Sequence, residues 1–401
     1  MSHYLIVLGT NTSLCFTELK SVLLRKIRHP LYTKIHPRII LLTLHQDDTA
    51  SEILALMQEL GGIIKIALVL TQLSSLNLEQ TAQVIAQRIN SAKPFGISIY
   101  SKTVENIQGI SQSVKKVLKN TFNLSTRFIL PTTNSEISTV LLAKQELQEF
   151  LLVKGDVDNR WYVAQTVVYQ NVDDWTKRDF GKPFRDVKTG ILPPKIARIM
   201  VNLGLPKRAE PLIYDPFCGS GTILAEALLL GCRVIGSDLS KQSAIYTSEN
   251  LKWLMQQYTN IQKEYVQEVF VSDATHISEQ IKGCVDAIIT EPFMGALFSQ
   301  KGKQMSLNNR PISREYLKNI IKGLNKLYLG VLKDWSKILN KGGKIVISLP
   351  EIHFNGYIYF VKKTVDSCEK LGYTLEIGPL SYYRPQAYVR RQIYILVKNN
   401  S

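Results

Sequence analysis

The sequence predicts an α/β protein: a doubly wound, mostly parallel sheet in the C-terminal half, preceded by a smaller α+β region. Three observations lead there. The turn Gly219-Ser220-Gly221 joins an apolar run ending at Asp215 to the helical pattern Ile223–Leu230, the strand–turn–helix succession that begins nucleotide-binding sheets. Asp215, Asp238 and Asp273 close three successive apolar runs. Before Asn171, short apolar runs alternate with amphipathic stretches, as in a small α+β unit.

In order, Tyr4–Leu8 reads as a buried strand, the stretch through Phe16, Leu19, Val22 and Leu23 as a helix, and Ile39–Leu44 as a second strand. A helix over Glu52–Leu60 and a strand over Ile63–Leu70 follow. Then come a helix near Thr81–Ile89, a strand at Gly96–Tyr100 and a helix at Ser111–Lys119. Arg127–Leu130, Leu151–Lys154 and Trp161–Val168 are expected to be extended. Asn171–Pro194, rich in charge, Gly and Pro, reads as a linker that becomes structured against the next domain. Strand cores follow at Leu212–Tyr214, Arg233–Ser237, Glu268–Val271, Ala287–Thr290 and Lys344–Leu349, and a hairpin of Leu375–Gly378 with Gln392–Val397 closes the sheet antiparallel. The expected divisions are residues 1–62, 63–168, a linker 169–192, and 193–401.

A chain of 401 residues suits two or three domains, and its net charge of +16 points to a polyanionic partner. The five cysteines are scattered without a C-x-x-C and the six histidines are dispersed, which argues against a disulfide framework and a metal site. No apolar run reaches membrane-spanning length, so no membrane role and a cytoplasmic location are expected.

At the turn, glycines let the backbone approach a ligand, and the helix start offers unpaired N–H groups. No Lys follows Gly221, which excludes a phosphate-gripping P-loop, and the G-x-G-x-x-G fingerprint is absent. Asp238, followed by Leu239, stands where a carboxylate binds a ribose diol; Asp273, followed by Ala274, stands where one meets an adenine amine. Each acid could instead cap the helix after it.

The run Asp215-Pro-Phe217-Cys218-Gly219-Ser220-Gly221-Thr222 resembles the first S-adenosylmethionine motif of RNA amino-methyltransferases, in particular the THUMP-containing tRNA guanosine-N2 methyltransferases. Arg178-Asp-Phe-Gly-Lys-Pro-Phe-Arg-Asp-Val-Lys-Thr-Gly190-Ile-Leu-Pro-Pro-Lys-Ile-Ala197 is similar to a segment of the group acting at position 10 of tRNA. The resemblance implies a Rossmann-like methyltransferase domain with S-adenosylmethionine as cofactor. It places Leu192, Pro193 and Pro194 beside the donor, together with Asp215, Phe217, Cys218, Gly219, Ser220, Gly221 and Thr222. Val7–Lys20 resembles the ferredoxin-like module of that group and the region from Ser125 resembles part of THUMP, implying a ferredoxin-like module over 1–62 and THUMP over 63–168 that hold tRNA.

The fourth apolar run leads into Glu291-Pro292-Phe293-Met294-Gly295, where the family has Asp-Pro-Pro-Tyr or Asn-Pro-Pro-Tyr. An exocyclic amine is a poor nucleophile, so an acceptor side chain and a proline-fixed carbonyl hold its N–H bonds and aim its lone pair, while an aromatic ring stacks on the extruded base. Here Glu291, Pro292 and Phe293 would fill those roles, with the ring moved by one residue. Either the loop is rebuilt around Phe293 or the catalytic step is impaired.

Between Lys301 and Lys344 stand eleven Lys/Arg against Glu315 and Asp334. Arg314, Lys318, Lys322 and Lys326 recur every four residues, one face of a helix whose apolar side is Leu317, Ile320, Ile321, Leu324 and Tyr328. This face is the expected RNA contact, with Arg390 in the aromatic–arginine stretch Tyr382–Arg391 as a second; a solvated face and a plain hairpin turn are the alternatives. The expected activity is N2-methylation of a tRNA guanosine. Open alternatives are rRNA or DNA amines as substrate, or a cofactor-binding RNA module without catalysis, and any small activator protein is left unspecified.

Overall fold

The structure, a computed structural model, describes all residues except 1, 28, 45–49, 103–105, 132–134, 186–191, 296–305, 308–309, 312, 386 and 401. The chain divides into two compact units, Met1–Asp174 and Trp175–Ser401.

In the first unit, β1 (His3–Leu8), α1 (Thr12–Lys26), β2 (Leu31–His36), β3 (Ile39–Thr43), α2 (Ala50–Glu59) and β4 (Ile63–Leu73) precede α3 (Leu78–Ala86), β5 (Phe95–Tyr100), α4 (Ile107–Phe122), β6 (Phe128–Ile129), α5 (Thr139–Gln145), β7 (Gln148–Lys154) and β8 (Trp161–Tyr169). One eight-stranded sheet runs β2-β3-β1-β4-β8-β7-β5-β6. The apolar strand β1 is paired on both sides, with β3 and with β4, and Leu5, Ile6, Val7 and Leu8 are fully buried. The same sheet holds strands from both 1–62 and 63–168. Within it Lys65 donates to Glu149 at 2.5 Å and to the Ile137 carbonyl, an enclosed charge held by its partners. The sequence reading misses β2 and α5. β2 is an edge strand with Leu31, Thr33 and Lys34 exposed, so it carries no continuous apolar run. α5 is only seven residues long and starts on the Ser138 side chain, which accepts from Leu141 N.

α6 (Val172–Phe180) forms where the sequence suggests a linker. Asn171 Oδ1 accepts from Asp174 N, Asp173 and Asp174 lie in the first turn, and Lys177 and Arg178 lie in the last, which suits the helix dipole.

The second unit continues with α7 (Pro194–Gly204), β9 (Leu212–Asp215), α8 (Thr222–Leu229), β10 (Arg233–Asp238), α9 (Lys241–Gln257), β11 (Val266–Val271) and β12 (Val285–Thr290). After the short pair β13 (Ser306–Leu307) and β14 (Arg310–Pro311) come α10 (Arg314–Trp335), β15 (Leu339–Phe354), β16 (Tyr357–Phe360), α11 (Lys362–Asp366), β17 (Tyr373–Tyr382) and β18 (Val389–Lys398). The sheet order is β11-β10-β9-β12-β15-β18-β17. The first five strands are parallel; β18 pairs antiparallel with β15 and with β17, so the expected closing hairpin is present. From central β9 the chain winds outward through β10 and β11, then crosses to β12 on the other side. That reversal opens a crevice at the carboxyl ends of β9 and β12, where such sheets take their ligands.

Buried Leu317, Leu324, Tyr328, Val331, Leu332 and Trp335 mark one stripe of α10, and most of them join Tyr214, Ile288 and Ile345 in the main core. Among the described residues no helix is long and apolar enough to cross a membrane.

Candidate active site

The glycine turn is set by backbone geometry. Gly219 and Gly221 have φ of 54° and 79°, a region that disfavours side chains. A Cβ on Gly221 would come within 3.0 Å of Thr247, whereas one on Gly219 would meet nothing closer than the Phe217 carbonyl at 4.0 Å. The space over Gly219 is therefore open. Cys218 N donates to the Ser237 carbonyl, and Cys218 itself is buried, its thiol pushed up by burial. Thr247 Oγ1 donates to the Gly219 carbonyl at 2.9 Å.

The three strand-end acids have different surroundings. Asp215 is enclosed: Oδ1 accepts from Phe217 N at 3.1 Å and from Thr290 Oγ1 at 2.7 Å, which ties the end of β9 to that of its neighbour β12. Burial pushes its carboxyl up to about 7, against those two hydrogen bonds. Asp238 is half-buried; Oδ2 accepts from Gly219 N at 3.0 Å and Oδ1 from Ser240 N at 2.9 Å, with exposed Leu239 beside it. Asp273 is exposed, and the backbone and hydroxyl of Thr275 hold its carboxyl below the ordinary value. Ala274 is buried, its carbonyl accepting from Trp335 Nε1. Phe217, edge-on to Trp335 at 6.3 Å, flanks the turn, and buried Pro194 starts α7 in the first-turn position that proline favours.

These groups can take a nucleoside. Two carboxylates at successive strand ends suit a ribose diol and an amine, open space lies over Gly219, and exposed Leu239 offers apolar cover.

The loop after β12 is held by side chains. Glu291 meets Arg391 of β18 at two points, Arg391 Nε to Oε2 at 2.7 Å and Nη2 to Oε1 at 2.8 Å. Burial works against the Arg391 charge, but Glu291 outweighs it and raises its pKa. Pro292 is buried, Tyr328 of α10 donates to the Phe293 carbonyl at 2.6 Å, and the Phe293 ring stands 56 % exposed. A carboxylate locked in plane, a proline-fixed backbone and an open ring are what the amine-holding chemistry needs.

Sequence reasoning misses Arg391, Tyr328, Thr290 and Asn250. Arg390, the neighbour expected to contact RNA, stacks its guanidinium at 4.2 Å on the Tyr383 ring. The only signal for Arg391 is a second arginine in the hairpin, and for Tyr328 a hydroxyl on an otherwise apolar helix face. On α10, Lys318, Lys322 and Lys326 are exposed, and Arg314, also exposed, stacks on Tyr357 at 3.8 Å.

Comparison with known proteins bears on this site. A family described as RMKL-like, methyltransferase domain, matches residues 184–351, which include the glycine turn, the three acids and the Glu291 loop. The second unit has a Rossmann-like methyltransferase fold. A DNA methylase family also matches, over residues 100–249. The tRNA (guanine(10)-N2)-dimethyltransferase of Methanocaldococcus jannaschii is 28 % identical over 242 residues, covering 57 % of this chain and 66 % of that protein. The enzyme of the same name from Pyrococcus abyssi is 40 % identical over 221 residues, covering 55 % and 52 %. The chain thus spans roughly a third to two thirds of the length of the first relatives it matches. TrmN from Thermus thermophilus superposes with a TM-score of 0.59 at 14 % identity over 99 % of each chain, a likeness of fold.

Proposed function

We propose that this chain transfers the methyl group of S-adenosylmethionine to the exocyclic N2 amine of a guanosine in tRNA. The observation that carries the reading is the Glu291 loop beside the glycine turn at the switch point of the sheet. Support for the substrate comes from relatives named tRNA (guanine(10)-N2)-dimethyltransferase. S-adenosylmethionine supplies an electrophilic methyl on a sulfonium. Asp238 and Asp273 hold the ribose and adenine, and Phe217, Leu239 and Pro194 give the cover around them. Glu291 accepts a hydrogen bond from the amine through the lone pairs that Arg391 leaves open, and Phe293 stacks on the base. With Arg391 fixing the carboxylate plane, Glu291 orients the amine; the two-point grip favours a rebuilt, working loop over an impaired one.

The exposed lysines of α10 meet tRNA phosphates in this reading, and the Met1–Asp174 unit, read as ferredoxin-like and THUMP modules, also holds tRNA. In this reading the protein works in the cytoplasm. The test is incubation of the full chain with methyl-labelled S-adenosylmethionine and unmodified tRNA, followed by nucleoside analysis. N2-methylguanosine or its dimethyl form is expected; a different methylated nucleoside would reassign the substrate, and no transfer at all would remove the activity.

A further inference from the structure

Lys182 lies in the segment between α6 and α7 and is buried, 8 % exposed. Its Nζ donates to Thr222 Oγ1 at 2.8 Å and to Ser220 Oγ at 3.3 Å, two hydroxyls of the glycine turn and the head of α8. Among the described residues no carboxylate lies within ion-pair distance of it. The charged groups that face it are Asp179, Arg185 and Glu226. Glu226 is already engaged by Arg178 at 2.6 Å and Arg198 at 2.7 Å, and Asp179 lies 3.8 Å from Arg185. Among the described residues the neighbourhood therefore holds four cations and two carboxylates, both committed elsewhere. Burial pushes the Lys182 pKa down to about 8.

The segment is anchored to the turn and not merely draped over it. Asn250 Nδ2 donates to the carbonyls of Phe184 and Ser220, both at 2.9 Å, and its Oδ1 accepts from Phe184 N at 3.0 Å. The Phe184 ring stacks on Tyr246 at 4.5 Å. An ammonium buried without a counter-ion is a standing cost that an anionic ligand group relieves.

We propose that Lys182, with the hydroxyls of Ser220 and Thr222, is the subsite for the α-carboxylate of the methyl donor and sets which way round the donor lies. This rests on the reading that the chain binds S-adenosylmethionine. The donor carries two cations, the sulfonium and the ammonium, neutral adenine and ribose, and one anion, the α-carboxylate. Asp238 and Asp273 repel that anion, and Lys182 attracts it. Charge thus lays the adenosine along the strand-end acids and the amino-acid end over the head of α8.

Calorimetric titration of the full chain with two ligands tests this: S-adenosylhomocysteine, which has the amino-acid end, and 5′-methylthioadenosine, which keeps the adenosine and thioether but lacks it. Lys182→Met should weaken S-adenosylhomocysteine about tenfold or more while leaving methylthioadenosine within about twofold, as the loss of one charged hydrogen-bond set implies. Lys182→Arg, which keeps the charge, should retain most of the affinity and guards against a folding defect in the Met variant. A bound carboxylate raises the Lys182 pKa, so at pH 8 the wild type should take up part of a proton with S-adenosylhomocysteine that Lys182→Met does not, read by repeating the titration in buffers of different ionisation enthalpy. Equal weakening of both ligands would make Lys182 a structural residue, and no change in either would overturn the subsite. A wild-type protein that binds neither ligand removes the donor site itself, a result distinct from both.

Discussion

The turn at Gly219–Thr222 and the loop at Glu291–Gly295 open on one crevice yet are held by different means. Around the turn the bonds are mostly to backbone: Gly219 N to Asp238, Cys218 N to the Ser237 carbonyl, Thr247 to the Gly219 carbonyl. The partners come from the next strand and helix, and positive φ at two glycines fixes the bend. The Glu291 loop depends on Arg391, a hundred residues away in sequence, and on the Tyr328 hydroxyl of α10. The supports of the turn are separate from those of the loop: the turn rests on Asp238, Ser237 and Thr247, the loop on Arg391 and Tyr328. The donor pocket should therefore survive substitutions that disable the acceptor loop, and the reverse should hold as well.

The largest break between the two should come from Glu291→Gln. It keeps the shape but removes the charge that Arg391 grips, and turnover should fall about 10²- to 10⁴-fold while affinity for S-adenosylhomocysteine stays within about twofold. Asp238→Ala should do the opposite, weakening S-adenosylhomocysteine about 10- to 100-fold by taking acceptors from the ribose and from Gly219 N. Arg391→Lys sharpens the contrast further: the planar fork is removed, and turnover should drop about tenfold at constant donor affinity, measured by single-turnover transfer. Lys318, Lys322 and Lys326 changed together to Ala should reduce the steepness of tRNA affinity against salt by roughly 0.7 to 0.9 for each phosphate that these lysines neutralise. The smallest effect concerns Asp215. Its folded pKa of about 7 lies above the unfolded value of about 4, so the native state keeps a proton that the unfolded chain releases. Stability falls as pH rises through that window, and urea midpoints at pH 5 and pH 7.5 should differ less in Asp215→Asn than in the wild type.

The same division decides what the sequence can tell. The strand–turn–helix at β9 and α8, the acids after β10 and β11 and the amphipathic stripe of α10 come from neighbours in sequence, and all stand where periodicity and glycine spacing put them. α6 looks like a linker because nine residues rich in charge carry little apolar period, though its capping residues follow ordinary helix rules. Edge strand β2 is hidden because half its residues face solvent. Arg391, Tyr328, Asn250 and Lys182 are a different case. Each acts through a partner dozens of residues distant, and nothing local to an arginine or an asparagine announces which carboxylate or carbonyl it will meet. Arg390 and Arg391 are adjacent and chemically alike, yet alternation along β18 sends one to Tyr383 and the other to Glu291.

The most direct measurement is equilibrium dialysis of labelled S-adenosylhomocysteine against the folded full chain and its Gly219→Val variant, with thermal melts as a control for folding. One saturable site per wild-type chain, abolished when a side chain fills the space over Gly219, is the predicted result. Saturable binding that the valine leaves untouched, or no binding by a well-folded wild type, would contradict the pocket on which the proposed transfer depends.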